Sequence, residues 1–389
     1  MLTNKFKFNY SIGSVANGIK TDTFTFFLLF FYSNIIGLNP ASAGLAIFIA
    51  LCVDAITDPL MGTISDRTNS KYGRRHPYMM ISFIPMSLGY ILLFAPRQDW
   101  DMSQGDLFIW MTLFTILTRI GMTLFDIPHR AFGGEVTKDY EERTLLMSWR
   151  EMIGWVAGLS NAFLGYGIFF ASTPEYPQGQ LNPDAWFPFA LTGAIFMVGT
   201  VLYSSVATKD EIKGLSKWKG SITLVEILSE LKIAVTNKAF LIFFFGNLFL
   251  SLAWGLANTL TLFVNTYFWE FEATQIKYFL PIYLIGTLLA FYITPRIVKV
   301  YEKRTIVLIA IAGVGILSPA AFIMYNLGLT PEKGSLELVF FISFFLVFLI
   351  TLNVMGIMVR DSMVGDIADE VELQSGKTVS YTHLRAHET

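Results

Sequence analysis

Ala43-Gly-Leu-Ala-Ile-Phe-Ile-Ala-Leu-Cys-Val-Asp54-Ala-Ile-Thr-Asp58-Pro-Leu-Met-Gly62 is an apolar run of bilayer-crossing length that carries two carboxylates. A hydrocarbon core about 30 Å thick takes roughly 20 residues of α-helix. Asp54 and Asp58 are four residues apart and so share one face of that helix. A carboxylate near a bilayer centre costs roughly 2.5–3.5 kcal/mol on insertion scales, so two on one face need a cation, a proton or a lined cavity to offset the cost. They are the leading functional-site candidates.

The same pattern continues along the chain. Of 389 residues, 53% are hydrophobic and 15% aromatic, with 36 phenylalanines, and mean hydropathy is +0.53, well outside the range of soluble domains. Apolar runs fall near 13–36, 42–64, 78–95, 107–127, 145–170 and 187–206, then near 240–267, 276–297, 305–327 and 336–359. The expected fold class is therefore an all-α, multi-pass membrane protein. Residues 1–206 read as an N-terminal six-helix bundle. Residues 207–238 read as a cytoplasmic central loop with a short amphipathic helix near 222–235, and 239–378 as a C-terminal bundle.

Lysine and arginine set the orientation. With a cytoplasmic N-terminus, the inner connections hold Lys5, Lys7, Arg67, Lys71, Arg74, Arg75, Arg130, Lys138 and Arg143, then six lysines between 209 and 238, then Arg296, Lys299, Lys303 and Arg304. The outer side holds Arg97, Lys277 and Lys333. The first residues, mixed with Asn17, Lys20 and Asp22, do not read as a cleavable leader. Cys52, the single cysteine, precludes an intrachain disulfide and reads as a small packed side chain.

The halves echo each other. The fourth run exits through Arg130-Ala-Phe-Gly-Gly134-Glu135-Val136 and the tenth through Asp361-Ser-Met-Val-Gly365-Asp366-Ile367. Internal duplication is a mark of transporter folds whose site lies between the repeats. Six runs precede the central loop and four follow it, so the second bundle is expected to be truncated by two helices. Residues 379–389 lack apolar periodicity and read as a non-native tail.

Several motifs in order resemble the glycoside-pentoside-hexuronide:cation symporters of the major facilitator superfamily. They are Asp54-Ala-Ile-Thr-Asp58-Pro59, the loop Asp66-Arg-Thr-Asn-Ser-Lys-Tyr-Gly73-Arg74-Arg75-His-Pro77, Asp126-Ile-Pro128, and Gly365-Asp366-Ile-Ala-Asp369-Glu370 running on to Gly376-Lys377. The resemblance covers about 10–377 and implies a major facilitator fold of two six-helix bundles. It also implies alternating access and sugar uptake driven by Na⁺, H⁺ or Li⁺, here expected to be H⁺ or Na⁺, with no cofactor beyond the coupling ion.

On that resemblance the cation-site acids are Asp54, Asp58 and Asp126, with Thr123, and a structurally important fifth-span arginine is Arg150. The galactoside-binding Lys-Asp pair of the family appears here as Asn17-Gly18, and a family tryptophan after the Asp-Ile-Pro proline is Arg130. The sugar pocket is therefore not carried over. Lys20, Asp22, Asp126, Arg130 and Arg150 are the candidate substrate residues, and Lys20 with Arg130 would suit an anionic sugar. Asp66, Gly73, Arg74 and Arg75 are expected to form a cytoplasmic gate with Asp366, Asp369 and Glu370, opposite charges on the two bundles latching one state.

The plainer readings stand beside these. Asp58 before Pro59 could cap a helix break, and Arg119 reads as a structural partner for a buried carboxylate. His129 reads as a loop histidine, and the aromatic runs 24–32 and 243–249 as packing or lipid-facing surface. The protein is expected in the bacterial inner membrane as a monomer, with a small-molecule sugar, the cation and lipid as partners and no nucleic acid. Alternatives are a lysolipid-type symporter or a non-transporting membrane sensor. An enzyme is not expected, because the chain offers no nucleophile triad, metal-ligand spacing or phosphate loop.

Overall fold

The computed structural model describes residues 2–137, 139–210 and 238–375. The amphipathic helix expected near 222–235 and the tail 379–389 lie outside them. Among the described residues the secondary structure is helical throughout. Nine helices among the described residues are long and apolar enough to cross a membrane: Pro40–Arg67, His76–Leu93, Gln104–Val136, Leu145–Phe169, Pro183–Ala207, Leu241–Phe268, Ala273–Ile297, Lys303–Asn326 and Leu336–Arg360. They are the second to tenth expected spans.

The first span is built differently from the expected single run. It begins at Asn4–Ser11, continues as Ser14–Asp22, and then passes through π-helical turns at Thr23–Phe27 and Phe31–Ile36. Such π turns widen a helix locally and recur at functional sites. The span ends at Gly37, whose φ of 87° a residue with a side chain rarely adopts.

Two further boundaries correct the sequence reading. The fourth span runs without a break through Pro128 to Val136 and the tenth helix runs to Ser375, so Arg130 and the Asp366–Glu370 segment are helical, not loop. The second span likewise runs through Pro59, so Asp58 caps no helix break. Each proline still leaves the carbonyl four residues earlier, at Ala55 and Leu124, without its usual intrahelical donor.

By internal packing the described residues fall into two units. One holds residues up to 210 with Asn258–Thr266 and Glu272–Thr274, and the other holds 238–257, Tyr267–Phe271 and 275–375. In the first unit the second span exposes Leu45, Phe48, Ile56, Leu60 and Ile64, a stripe at helical spacing. This inverts the pattern of a soluble helix, because lipid replaces water as the outer solvent. Its opposite face meets the fourth span.

Glycines set the closest approaches. A methyl group on Gly18 of the first span would lie 2.0 Å from the Gly154 carbonyl oxygen, and one on Gly158 would lie 2.3 Å from Asp22 Oδ2. With the hydrogen bond from Ser14 to the Arg150 carbonyl, these contacts keep a constant register, so the first and fifth spans run parallel. The third and fourth spans close antiparallel through Gly89 against Thr118 and Gly121 against Met86. Above this the aromatic run of the first span is core: Phe27, Phe30 and Phe31 surround Trp186, which Phe94 and Phe170 also flank.

In the second unit Thr351 of the tenth span donates to the Gly286 carbonyl of the eighth across 65 residues. The ninth and tenth spans pack antiparallel through Gly313 on Leu352 and Gly356 on Ala310. Ala290, Ile306, Ala310, Met355 and Val359 form the core there. Phe244, Phe245 and Phe249 of the seventh span are exposed.

Candidate functional site

Asp54 sits at the middle of the 28-residue second span and Asp58 one turn later. Facing them on the fourth span are Arg119 and Thr123, also one turn apart. Arg119 Nη1 forms an ion pair with Asp54 Oδ2, and Thr123 Oγ1 donates to Asp58 Oδ1 at 2.6 Å. Equal spacing on both helices produces two rungs in parallel register. The Arg119 and Asp54 side chains keep 12% and 20% of their surface exposed, so the pair is largely out of solvent. The guanidinium also stands 5.6 Å from the Phe24 ring centre, in cation–π range.

Asp126 lies one further turn along the fourth span. Its Oδ1 accepts from Arg150 Nη2 and its Oδ2 from Arg130 Nε at 2.7 Å, so both oxygens are held by arginine. Arg150 keeps 1% of its side-chain surface exposed and also pairs with Glu151. Through its backbone oxygen it holds Ser14 of the first span. Arg150 therefore ties three helices together around Asp126. The three expected cation-site acids differ accordingly: Asp54 and Asp126 carry arginine partners, whereas Asp58 makes no ion pair among the described residues.

The expected substrate residues also separate. Lys20 lies within electrostatic reach of Asp54, Asp58, Asp126 and Arg119 and holds its ammonium 5.9 Å from the Phe24 ring. It makes no ion pair among the described residues. Asp22, two residues on and nearly opposite on the helix, turns to the notch at Gly158 on the fifth span. The structure thus brings Lys20, Arg130 and Arg150 to the acid cluster and places Asp22 apart from it. His129 is no loop residue: it is fully buried, stacked on Tyr10 at 4.1 Å, with Nε2 3.0 Å from the Tyr10 carbonyl.

At the end of the second span, Gly73 adopts φ +77° and closes a turn that delivers Arg74 and Arg75. Arg75 donates to Asp66 at 2.7 Å, to Ser65 at 3.1 Å and to Glu135, which Arg74 also meets at 2.8 Å. The latch seen among the described residues therefore closes inside the first unit, on Glu135 of the fourth span. The side chains of Asp366, Asp369 and Glu370 lie outside the described residues.

Glu135 and Ser65 do not stand out as gate residues in the sequence, although Gly134-Glu135 belongs to the repeated exit motif. Arg119 reads in the sequence as a structural partner of a buried carboxylate, and the structure identifies that carboxylate as Asp54. The signal for this pairing was available: Arg119 and Thr123 repeat the four-residue spacing of Asp54 and Asp58 on the next even-numbered span.

A family model described as MFS/sugar transport protein matches residues 9–384. The chain belongs to that family. This member is 30% identical over 210 residues, 53% of its length, to an uncharacterized symporter of Synechocystis sp., covering 38% of that protein. It is 25% identical over 304 residues, 78% of its length, to the isoprimeverose transporter of Lactiplantibacillus pentosus, covering 60% of that protein. The match thus spans less than two thirds of either relative. In fold the family member resembles the inward-open xylose transporter XylE from E. coli, with a TM-score of 0.56, 14% identity and coverage of 90% of this chain and 79% of that one. The resemblance to the glycoside-pentoside-hexuronide:cation symporters stands, and the fold is that of the major facilitator superfamily. Family and fold are those of multi-pass membrane transporters.

Proposed function

We propose that the protein carries a sugar or glycoside, an anionic sugar in particular, by symport with a cation, H⁺ or Na⁺. It works by alternating access as a monomer in the bacterial inner membrane, with its N-terminus in the cytoplasm. One observation carries the reading: Asp58 sits in the membrane-embedded cluster with a neutral hydroxyl for company, while its neighbours Asp54 and Asp126 are held by arginines. A lone carboxylate at this depth is offset by a visiting cation or proton.

Neutralising Asp58 removes a negative charge from the field around Lys20. The free ammonium then favours an anionic group beside it, so the ion and an acidic sugar assist each other. Transport is coupled because each ligand binds one orientation of the carrier better than the other; equal binding would shift nothing. Asp126, Arg130 and Arg150 keep the neighbouring helices in register while this exchange takes place.

The test is uptake of a labelled glucuronide and of its uncharged glycoside by the full chain in proteoliposomes, with pH and sodium gradients imposed separately. Accumulation above the external concentration with either ion supports symport. Equilibration at best, under both gradients and with both sugars, contradicts it.

A further inference from the structure

We infer that Arg119 is a built-in counter-cation that occupies Asp54 and keeps a sodium ion out of the Asp54–Asp58 pair. The inference rests on the symport reading above and specifies which ion its site admits. Asp54 and Asp58 are one turn apart on one helix face, about 6 Å along the axis, a spacing across which two carboxylates and a hydroxyl could surround a hard cation with oxygen. Arg119 changes that donor set. Its Nη1 takes Asp54 Oδ2, its own helix supplies Thr123 to Asp58 one turn later, and its charge stands where the metal charge would stand.

Two further observations point the same way. The Arg119 contact with Asp54 is single-pointed: Asp54 Oδ1 and Arg119 Nε are buried and unpartnered among the described residues, so no second bond locks the pair. Phe24 backs the guanidinium at 5.6 Å and restrains it on the Asp54 side. What remains open to a visitor is Asp58 with one hydroxyl and the far oxygen of Asp54, beside a fixed positive charge that repels a sodium ion and leaves Asp58 able to take a proton. The groups facing Asp58 are Asp54 on its own span, Thr123 and Asp126 on the fourth, and Lys20 on the first.

The test uses sodium itself as the probe. The purified full chain and its variants are heated in detergent with sodium chloride or with choline chloride at equal ionic strength. Ligand binding to the folded state raises the apparent Tm in a saturable way. The wild-type chain is expected to show no sodium-specific shift. Arg119→Gln is expected to gain a saturable upward shift that Arg119→Gln with Asp58→Asn loses, and Arg119→Lys, which keeps the charge, is expected to stay blind to sodium. A sodium-specific shift in the wild type that Asp58→Asn removes overturns the inference, and that arm holds even if Arg119→Gln fails to fold. A folded Arg119→Gln without a sodium response overturns it as well. Either result leaves symport intact, which fails only if no ion gradient drives accumulation.

Discussion

Asp58 and Thr123 meet across the second and fourth spans at 2.6 Å, separated by the same 65 residues of chain as Asp54 and Arg119 one turn away. One rung is ionic and the other neutral. The register follows from topology: in an up-and-down bundle alternate spans run parallel, so residues spaced four apart on both helices pair in the same order. In the second unit the eighth and tenth spans repeat the relationship, with Thr351 and Gly286 also 65 residues apart. The duplication visible in the exit motifs therefore extends to helix pairing.

Removing either partner of the ionic rung strands the other. Asp54→Asn leaves Arg119 without its carboxylate, and breaking one side of a buried pair typically costs about 3–5 kcal/mol. Asp54→Asn with Arg119→Gln is expected to recover most of that loss. A double-mutant cycle on thermal unfolding in detergent checks this, and additive losses would mean that the two side chains do not interact.

The first and fifth spans touch through backbone. At Gly18 an added methyl group would collide with the Gly154 carbonyl, whereas at Gly246 it meets open space. Gly18→Ala is expected to destabilise by about 1–3 kcal/mol through overpacking. Gly246→Ala is expected to be neutral, or stabilising by up to about 1 kcal/mol through helix propensity. Tm values of the two variants provide the comparison.

Much of this architecture was legible in the residues. The spans could be read because each carries a run of apolar residues of bilayer length, and the acids stood out because lipid penalises charge. What was not legible was pairing between helices. Asp126 and Arg150 are 24 residues apart in sequence, with nothing in their spacing to pair them, yet the two meet across the fourth and fifth spans. Gly18 read as a lost substrate residue, and it is instead the point where two backbones touch. The first span hid its π turns because its Phe-rich sequence has the same composition in either helical form.

The Arg75–Glu135 latch gives a charge-geometry prediction. Arg75 donates through two nitrogens to Glu135 and also reaches Asp66 and Ser65, a fork that an ammonium cannot reproduce. Arg75→Lys is therefore expected to lose nearly as much stability as Arg75→Ala, and Glu135→Gln to weaken the same contact. Limited proteolysis of the loop around Gly73 should be faster in all three, and unchanged cleavage in Arg75→Lys would contradict the fork.

Cys52 tests the lipid-facing side of the second span. Its side chain is exposed on the apolar surface of that helix. In native membranes it should react with a lipid-soluble maleimide and resist a charged, membrane-impermeant thiol reagent. Equal reaction with both would mean that this face meets water.

Asp58 is proposed as the carboxylate that the coupling ion neutralises. The direct measurement is Asp58→Asn in proteoliposomes loaded with a sugar that the wild type accumulates, comparing gradient-driven uptake with sugar–sugar exchange. Accumulation is expected to disappear while exchange continues, because the carrier still moves but no longer needs the ion. Wild-type accumulation by Asp58→Asn under the same gradient would contradict that role.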